Sequence, residues 1–245
     1  MAFRTSNPAL RPESFQVEGV RGDAMTLTGT VNKTGILLVC IVASAIWSWN
    51  RFLTDPGSAG LFVAVGLIGG LVFAMVTIFK KEWAPVTAPI YALLEGLFLG
   101  AVSASLELTY HGLVIQAVTL TFGTLFALLL AYRSGLIRAT ENFKLGVVAA
   151  TGGIAALYVT ELVLGFFGIH FTTINGTGPI GIGFSVVVVV IAALNLVLDF
   201  DFIESGVNAG APKYMEWYGA FGLMVTLIWL YLEILRLLMK LRSWR

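Results

Sequence analysis

An all-α, polytopic membrane protein is the fold class that three features of this 245-residue sequence predict. Hydrophobic residues make up 58% of it and charged residues only 12%, whereas an ordinary soluble domain is roughly one quarter charged. Mean hydropathy is +0.89. Seven apolar stretches approach the ~20 residues that a helix needs to cross hydrocarbon roughly 30 Å thick.

The elements follow in order. Residues 1–33 read as a polar arm holding Arg4, Arg11, Arg21, Pro8 and Pro12. With no early apolar run, the arm is not expected to be a cleavable signal, and the first membrane segment directs insertion. Residues 34–245 form the transmembrane domain. Its spans are predicted at Gly35–Leu53, Gly60–Phe79, Pro85–Leu106, Gly112–Tyr132, Leu145–Phe167, Ile180–Phe202 and Trp217–Leu238. Pro56 separates the first two, and Pro85, Pro89, Pro179 and Pro212 sit at or before helix starts, where a missing N–H costs least. Trp47, Trp49, Trp83, Trp217 and Trp244 fall near span ends, as amphipathic rings do at headgroup level. Gly66 with Gly70, and Gly96 with Gly100, are small-residue pairs that let helices approach closely and are read as packing surfaces.

Counting Lys and Arg by connection puts ten on the side of the N-terminus and five on the other, so the positive-inside rule favours a cytoplasmic N-terminus. The tail dissents, because Arg236, Lys240, Arg242 and Arg245 would lie outside after seven crossings. Either the last segment is central and held by packing, or one segment is re-entrant. Seven helices is the preferred reading.

Function is signalled by acids. Glu95, Glu161, Asp199, Asp201 and Glu233 lie in or close apolar runs, where an ionised side chain costs about 2.5–3.5 kcal/mol on insertion scales and normally faces a bundle interior, a partner or a water-filled path. With the N-terminus inside, Asp199 and Asp201 fall near the cytoplasmic end of the sixth span, Glu95 near the midplane, and Glu161 and Glu233 in the outer third. A polar neighbour stands a turn before each: Tyr91, Tyr158, Asn195 and Trp229 precede Glu95, Glu161, Asp199 and Glu233 and share their faces. Asp199 and Asp201 point different ways, so one of them looks into the core. Low dielectric and a like-charged neighbour both disfavour ionisation of a carboxyl group, so two acids sharing a proton can hold a path closed and release it when both ionise. Blander readings stand beside this one. Glu233 can pair with Arg236, Glu161 can sit at the interface, and Asp199, Asp201 and Glu204 can form a solvated helix end.

Other chemistry finds no support. Cys40 is alone and reads as a small hydrophobe; His111 and His170 lack zinc-site spacing. There is no phosphate loop, no nucleophile elbow and no basic aromatic stripe for nucleic acid. No enzyme activity and no resident cofactor are expected, and the partners are the lipid bilayer, with calcium or protons.

At its acids the chain resembles the Bax inhibitor family, the transmembrane Bax-inhibitor-motif proteins and their bacterial YccA-like branch. The matching stretches are Tyr91–Gly100, Leu196–Ile203 and Trp229–Arg236. The resemblance implies a seven-helix bundle with the last helix central, and a pH-sensitive calcium leak governed by two acids. One falls on Asp199; the other falls on Glu233, where the family usually has Asp, and calcium would meet the pair. A hairpin turning near Val207 and Asn208 would instead set Glu216 level with Asp199, unless an interfacial insert separates the two motifs. Glu233 is the preferred partner. Two further readings remain: a non-transporting regulator that binds and restrains a membrane protease or a cell-death or stress factor, and a proton-coupled cation exchanger. A bacterial inner membrane is the expected location.

Overall fold

The computed structural model describes residues 24–168 and 171–244. Expectations for residues 1–23 of the arm and for His170 lie outside the described residues. Those residues contain seven helices long and apolar enough to cross a membrane: α1 (Leu27–Thr54), α2 (Ala59–Phe79), α3 (Ala84–Thr109), α4 (Leu113–Arg133), α5 (Glu141–Gly165), α7 (Pro179–Asn208) and α8 (Met215–Trp244), with the four-residue α6 (Thr172–Asn175) between α5 and α7.

Local chemistry sets the boundaries. Thr26 caps α1 by accepting a hydrogen bond from the Gly29 N–H at 3.0 Å, so the helix starts at Leu27 and the division after residue 33 falls inside it. Pro85 occupies the first turn of α3 as expected, but Pro89 lies inside that helix. The Glu107 carboxylate accepts from the backbone N–H groups of Gly112 and Val114, placing negative charge at the amino end of α4. Gly112 makes the preceding turn at φ 75°, a left-handed conformation that glycine adopts without steric cost.

Successive crossings alternate, giving the bundle an N face and a C face. On the N face, Lys33 meets Glu216, Tyr132 meets Glu204 and the Lys81 ammonium lies over the Tyr218 ring. On the C face, Tyr110 meets Ser243 and Arg242 meets the His111 carbonyl. The connection between α7 and α8 is a short turn through Gly210, at φ 66°; no re-entrant segment and no interfacial insert interrupts it. The residues expected to form such an insert extend the two helices instead.

Helix α8 is central. It packs against α1, α3, α4 and α7, and 56% of its most apolar window is buried, against 11% for the peripheral α5. In hydrocarbon, packing supplies the association that the hydrophobic effect supplies in water. Ala84, Ala88, Ala92, Gly96, Gly100 and Ala104 recur every fourth residue along the buried face of α3, and its two glycines press on the α1 backbone at Ile41 and Ala45. Gly66 and Gly70 of α2 press on α3 at Phe98 and Glu95. Both glycine pairs are thus spent inside the bundle.

A methyl group at Gly100 would overlap the Ala45 backbone, whereas one at Gly123 of α4 meets open space. Gly100→Ala is therefore expected to destabilise the protein by about 1–3 kcal/mol, while Gly123→Ala is neutral or stabilising by up to about 1 kcal/mol. Thermal unfolding in detergent distinguishes the two.

Candidate functional site

The acids do not converge on one point; the bundle distributes them. Helix α7 turns Ala192, Leu196, Phe200 and Ile203 inward, and Asp199, a turn after Leu196, shares this inward side. Its Oδ1 lies 3.9 Å from where a Cβ of Gly222 would stand, and the Thr226 hydroxyl, one turn further along α8, is its hydrogen-bonding neighbour. Its Oδ2 is buried without a hydrogen-bond partner.

Asp199 pairs with neither expected acid. The hairpin turns at Gly210, later than the Val207–Asn208 turn read from sequence, so Gly222 replaces Glu216 as the residue level with it. Glu233 lies eleven residues beyond Gly222, about 16 Å along the helix. Glu216 is fully buried at the N face, where it meets the ammonium groups of Lys33 at 3.1 Å and Lys213 at 2.8 Å and accepts from the Thr26 backbone N–H and hydroxyl.

Glu233 is 4% exposed. Its Oε1 accepts from the Tyr158 hydroxyl of α5 at 2.9 Å and lies 3.5 Å from Arg236 Nη1. That same nitrogen donates to the Tyr158 oxygen at 2.7 Å, so the phenol relays between base and acid. Glu233 Oε2 is buried and unpartnered. The Arg236 pairing read from sequence as a bland alternative is therefore present, strengthened by a residue from another helix.

The remaining acids are peripheral. Asp201 points away from Asp199 and pairs with Lys144 at 2.8 Å, while Glu204 accepts from Tyr132 at 2.5 Å; together they tie α7 to α5 and α4. Glu161 accepts from the Asn175 amide near the C face. Glu95 is half-buried against Gly70, between α2 and α3, with no hydrogen-bond or ion-pair partner among the described residues.

The same-helix polar neighbours serve other helices. Asn195 donates to Thr151 of α5 and to the Ile191 carbonyl, both at 2.8 Å. Tyr158 serves Glu233 rather than Glu161, and Tyr91 stands edge-on to Phe221 with centroids 5.0 Å apart. A residue that sequence reading left in the basic tail also joins in. Lys240, 6% exposed, donates to the carbonyls of Ile174 and Gly181 at 2.7 and 3.0 Å and to the Ser185 hydroxyl at 2.9 Å. Its signal was spacing: Glu233, Arg236 and Lys240, three and four residues apart, share one face of α8.

These groups form a polar seam between α5, α7 and α8. A separate cavity of about 430 Å³, between α1, α3, α4 and α8, is apolar; its Ser103 and Tyr231 hydroxyls bond each other at 2.7 Å. Among the described residues no three His, Cys, Asp or Glu side chains gather as metal ligands.

Seven crossings with ionisable side chains seated along a central last helix define an integral membrane protein with a buried polar seam. A family model described as Bax inhibitor 1 like matches residues 7–243, and the chain belongs to that family. No curated protein and no solved structure matches it.

Lys240→Met removes three charge-assisted hydrogen bonds and is expected to cost about 1–3 kcal/mol. Arg242→Met, which removes an exposed contact to the His111 carbonyl, should fall within about 0.5 kcal/mol of the parent. Thermal unfolding in detergent measures both.

Proposed function

We propose that this protein is a pH-sensitive cation leak whose ion is calcium, with Asp199 as the responsive carboxylate and the α5–α7–α8 seam as the route. One observation carries the reading: Asp199, like Glu233, holds a buried oxygen without a hydrogen-bond partner, but unlike Glu233 and Glu216 it has no Lys or Arg paired with it among the described residues. Carboxylate oxygens suit a hard cation. A buried ionisable group without a base is costly to keep unless it works.

Glu233 serves as a second station rather than as a partner sharing one proton, because the two acids lie about 16 Å apart along α8. Tyr158 and Arg236 hold Glu233 in place, and with Lys240 they set positive charge at the C-face end of the route. That charge opposes a passing cation, so the structure corresponds to a closed leak in this reading. The N face is cytoplasmic, since it carries the larger number of Lys and Arg residues, and the membrane is a bacterial inner membrane.

Two alternatives stand beside it. A regulator that restrains a protease or a stress factor needs a free face; Gly66 with Gly70 and Gly96 with Gly100 are occupied within the bundle, whereas Gly146, Gly152 and Gly153 of α5 are open. A proton-coupled exchanger uses the same acids and differs in moving protons against the cation.

Purified protein in liposomes is expected to pass calcium faster as pH rises, because deprotonation creates the negative charge that attracts the ion. Asp199→Asn should cut the flux at least ten-fold and flatten its pH profile. Absence of calcium flux in the unaltered protein at every pH would overturn the reading, and proton counterflow would move it to the exchanger.

A further inference from the structure

Between Asp199 and the N face lies a segment to which the leak reading gives no role. Ala24 bridges Pro212 in antiparallel fashion, and the Met25 N–H donates to the Ala211 carbonyl at 2.7 Å. These contacts lay residues 24–26 across the mouth of the α7–α8 hairpin. The Met25 side chain is 2% exposed and enters the hairpin between two glycines. Its Sδ is 3.1 Å from the Cβ position of Gly206, and its Cε is 3.5 Å from that of Gly219. Ile203 and Thr30 close around Gly219 at 3.1 and 3.5 Å. Gly222, facing Asp199, follows three residues below Gly219 on α8, so the methionine and its neighbours form the layer above the carboxylate.

The side-chain polar anchors of this segment converge on a single group. Glu216 Oε1 accepts from the Thr26 N–H at 3.0 Å and from its hydroxyl at 2.8 Å, while Lys33 and Lys213 hold the carboxylate in place. Gly29 makes room for it, since a Cβ there would overlap the carboxylate. Methionine is unbranched and flexible, which suits a side chain that must seat in a slot and leave it.

We infer that residues 24–26 are a strap gating the N-face approach to Asp199, with Met25 as its plug and Glu216 as its latch. The inference rests on reading Asp199 as the ion-responsive carboxylate, and it adds the device that controls access. Loss of the latch frees Thr26; truncation of the plug opens the layer between Gly206 and Gly219 directly.

Accessibility tests this without relying on transport. In a Cys40→Ala background, Asp199→Cys is reacted in lipid nanodiscs with a charged, membrane-impermeant methanethiosulfonate reagent, and the rate is followed by mass spectrometry. Slow labelling is expected with the strap intact, and a rate at least ten-fold higher after adding Glu216→Ala or Met25→Ala. Met25→Ala leaves every polar contact of the latch in place, so it decides the matter if Glu216→Ala fails to fold. Fast labelling with the strap intact, or an unchanged rate in the folded variants, would overturn the inference. Calcium flux is measured in parallel on Glu216→Ala and Met25→Ala proteins that keep Asp199. Faster labelling without flux in any protein removes the leak and leaves the strap; unchanged labelling with normal flux removes the strap alone.

Discussion

A charge carried into hydrocarbon must find its compensation inside the protein, because no water is there to supply it. Helix α8 shows how this constraint shapes the bundle. Glu216, Glu233 and Lys240 are all buried, and each is answered from other parts of the chain: Glu216 by α1 and the hairpin turn, Glu233 by Tyr158 of α5, and Lys240 by α6 and the first turns of α7. The centre of the bundle is thus held by directed polar bonds as well as by small-residue packing. Helix α5, which packs chiefly on α7, is tied in mainly through Tyr158, Thr151 and Lys144.

The same constraint isolates Asp199. The other acids of the seam side are held by groups from elsewhere: Lys144 for Asp201, Tyr132 for Glu204, Asn175 for Glu161, Tyr158 and Arg236 for Glu233. Asp199 has only the Thr226 hydroxyl and no base, and keeps one oxygen unsatisfied. A side chain so placed, with its helix otherwise well packed, is the departure from local consistency that functional sites show.

Most of the architecture was legible in the sequence, because long apolar runs separated by charged turns leave few alternatives to spanning helices. The start of α1 was not, since Asn32, Lys33 and Thr34 interrupt the apolar run while the Thr26 cap sets the boundary eight residues before Gly35. The hairpin register was missed because it depends on the turn conformation at Gly210, and a shift of a few residues replaces Glu216 by Gly222 opposite Asp199. Same-helix spacing gave each acid a candidate polar neighbour, but Asn195 and Tyr158 bond across helices rather than to Asp199 and Glu161. Spacing along one helix says which side chains share a face; it does not say what that face meets. The resemblance at the motif stretches pointed to Asp199 and Glu233 as a pair; depth along the spans already set them at different levels, and the hairpin register keeps them about 16 Å apart along α8.

The buried charges of α8 bear on how the protein is made. In chain order α8 follows every helix that supplies its partners. Entering lipid by itself, it would expose Lys240 without a partner, and Glu233 and Arg236 with only each other, to the acyl chains. The ribosome delivers it when α1, α5 and α7 have already been synthesised, so its insertion and its docking are energetically one event, and an error in an earlier helix is registered as a failure of the last to enter the membrane.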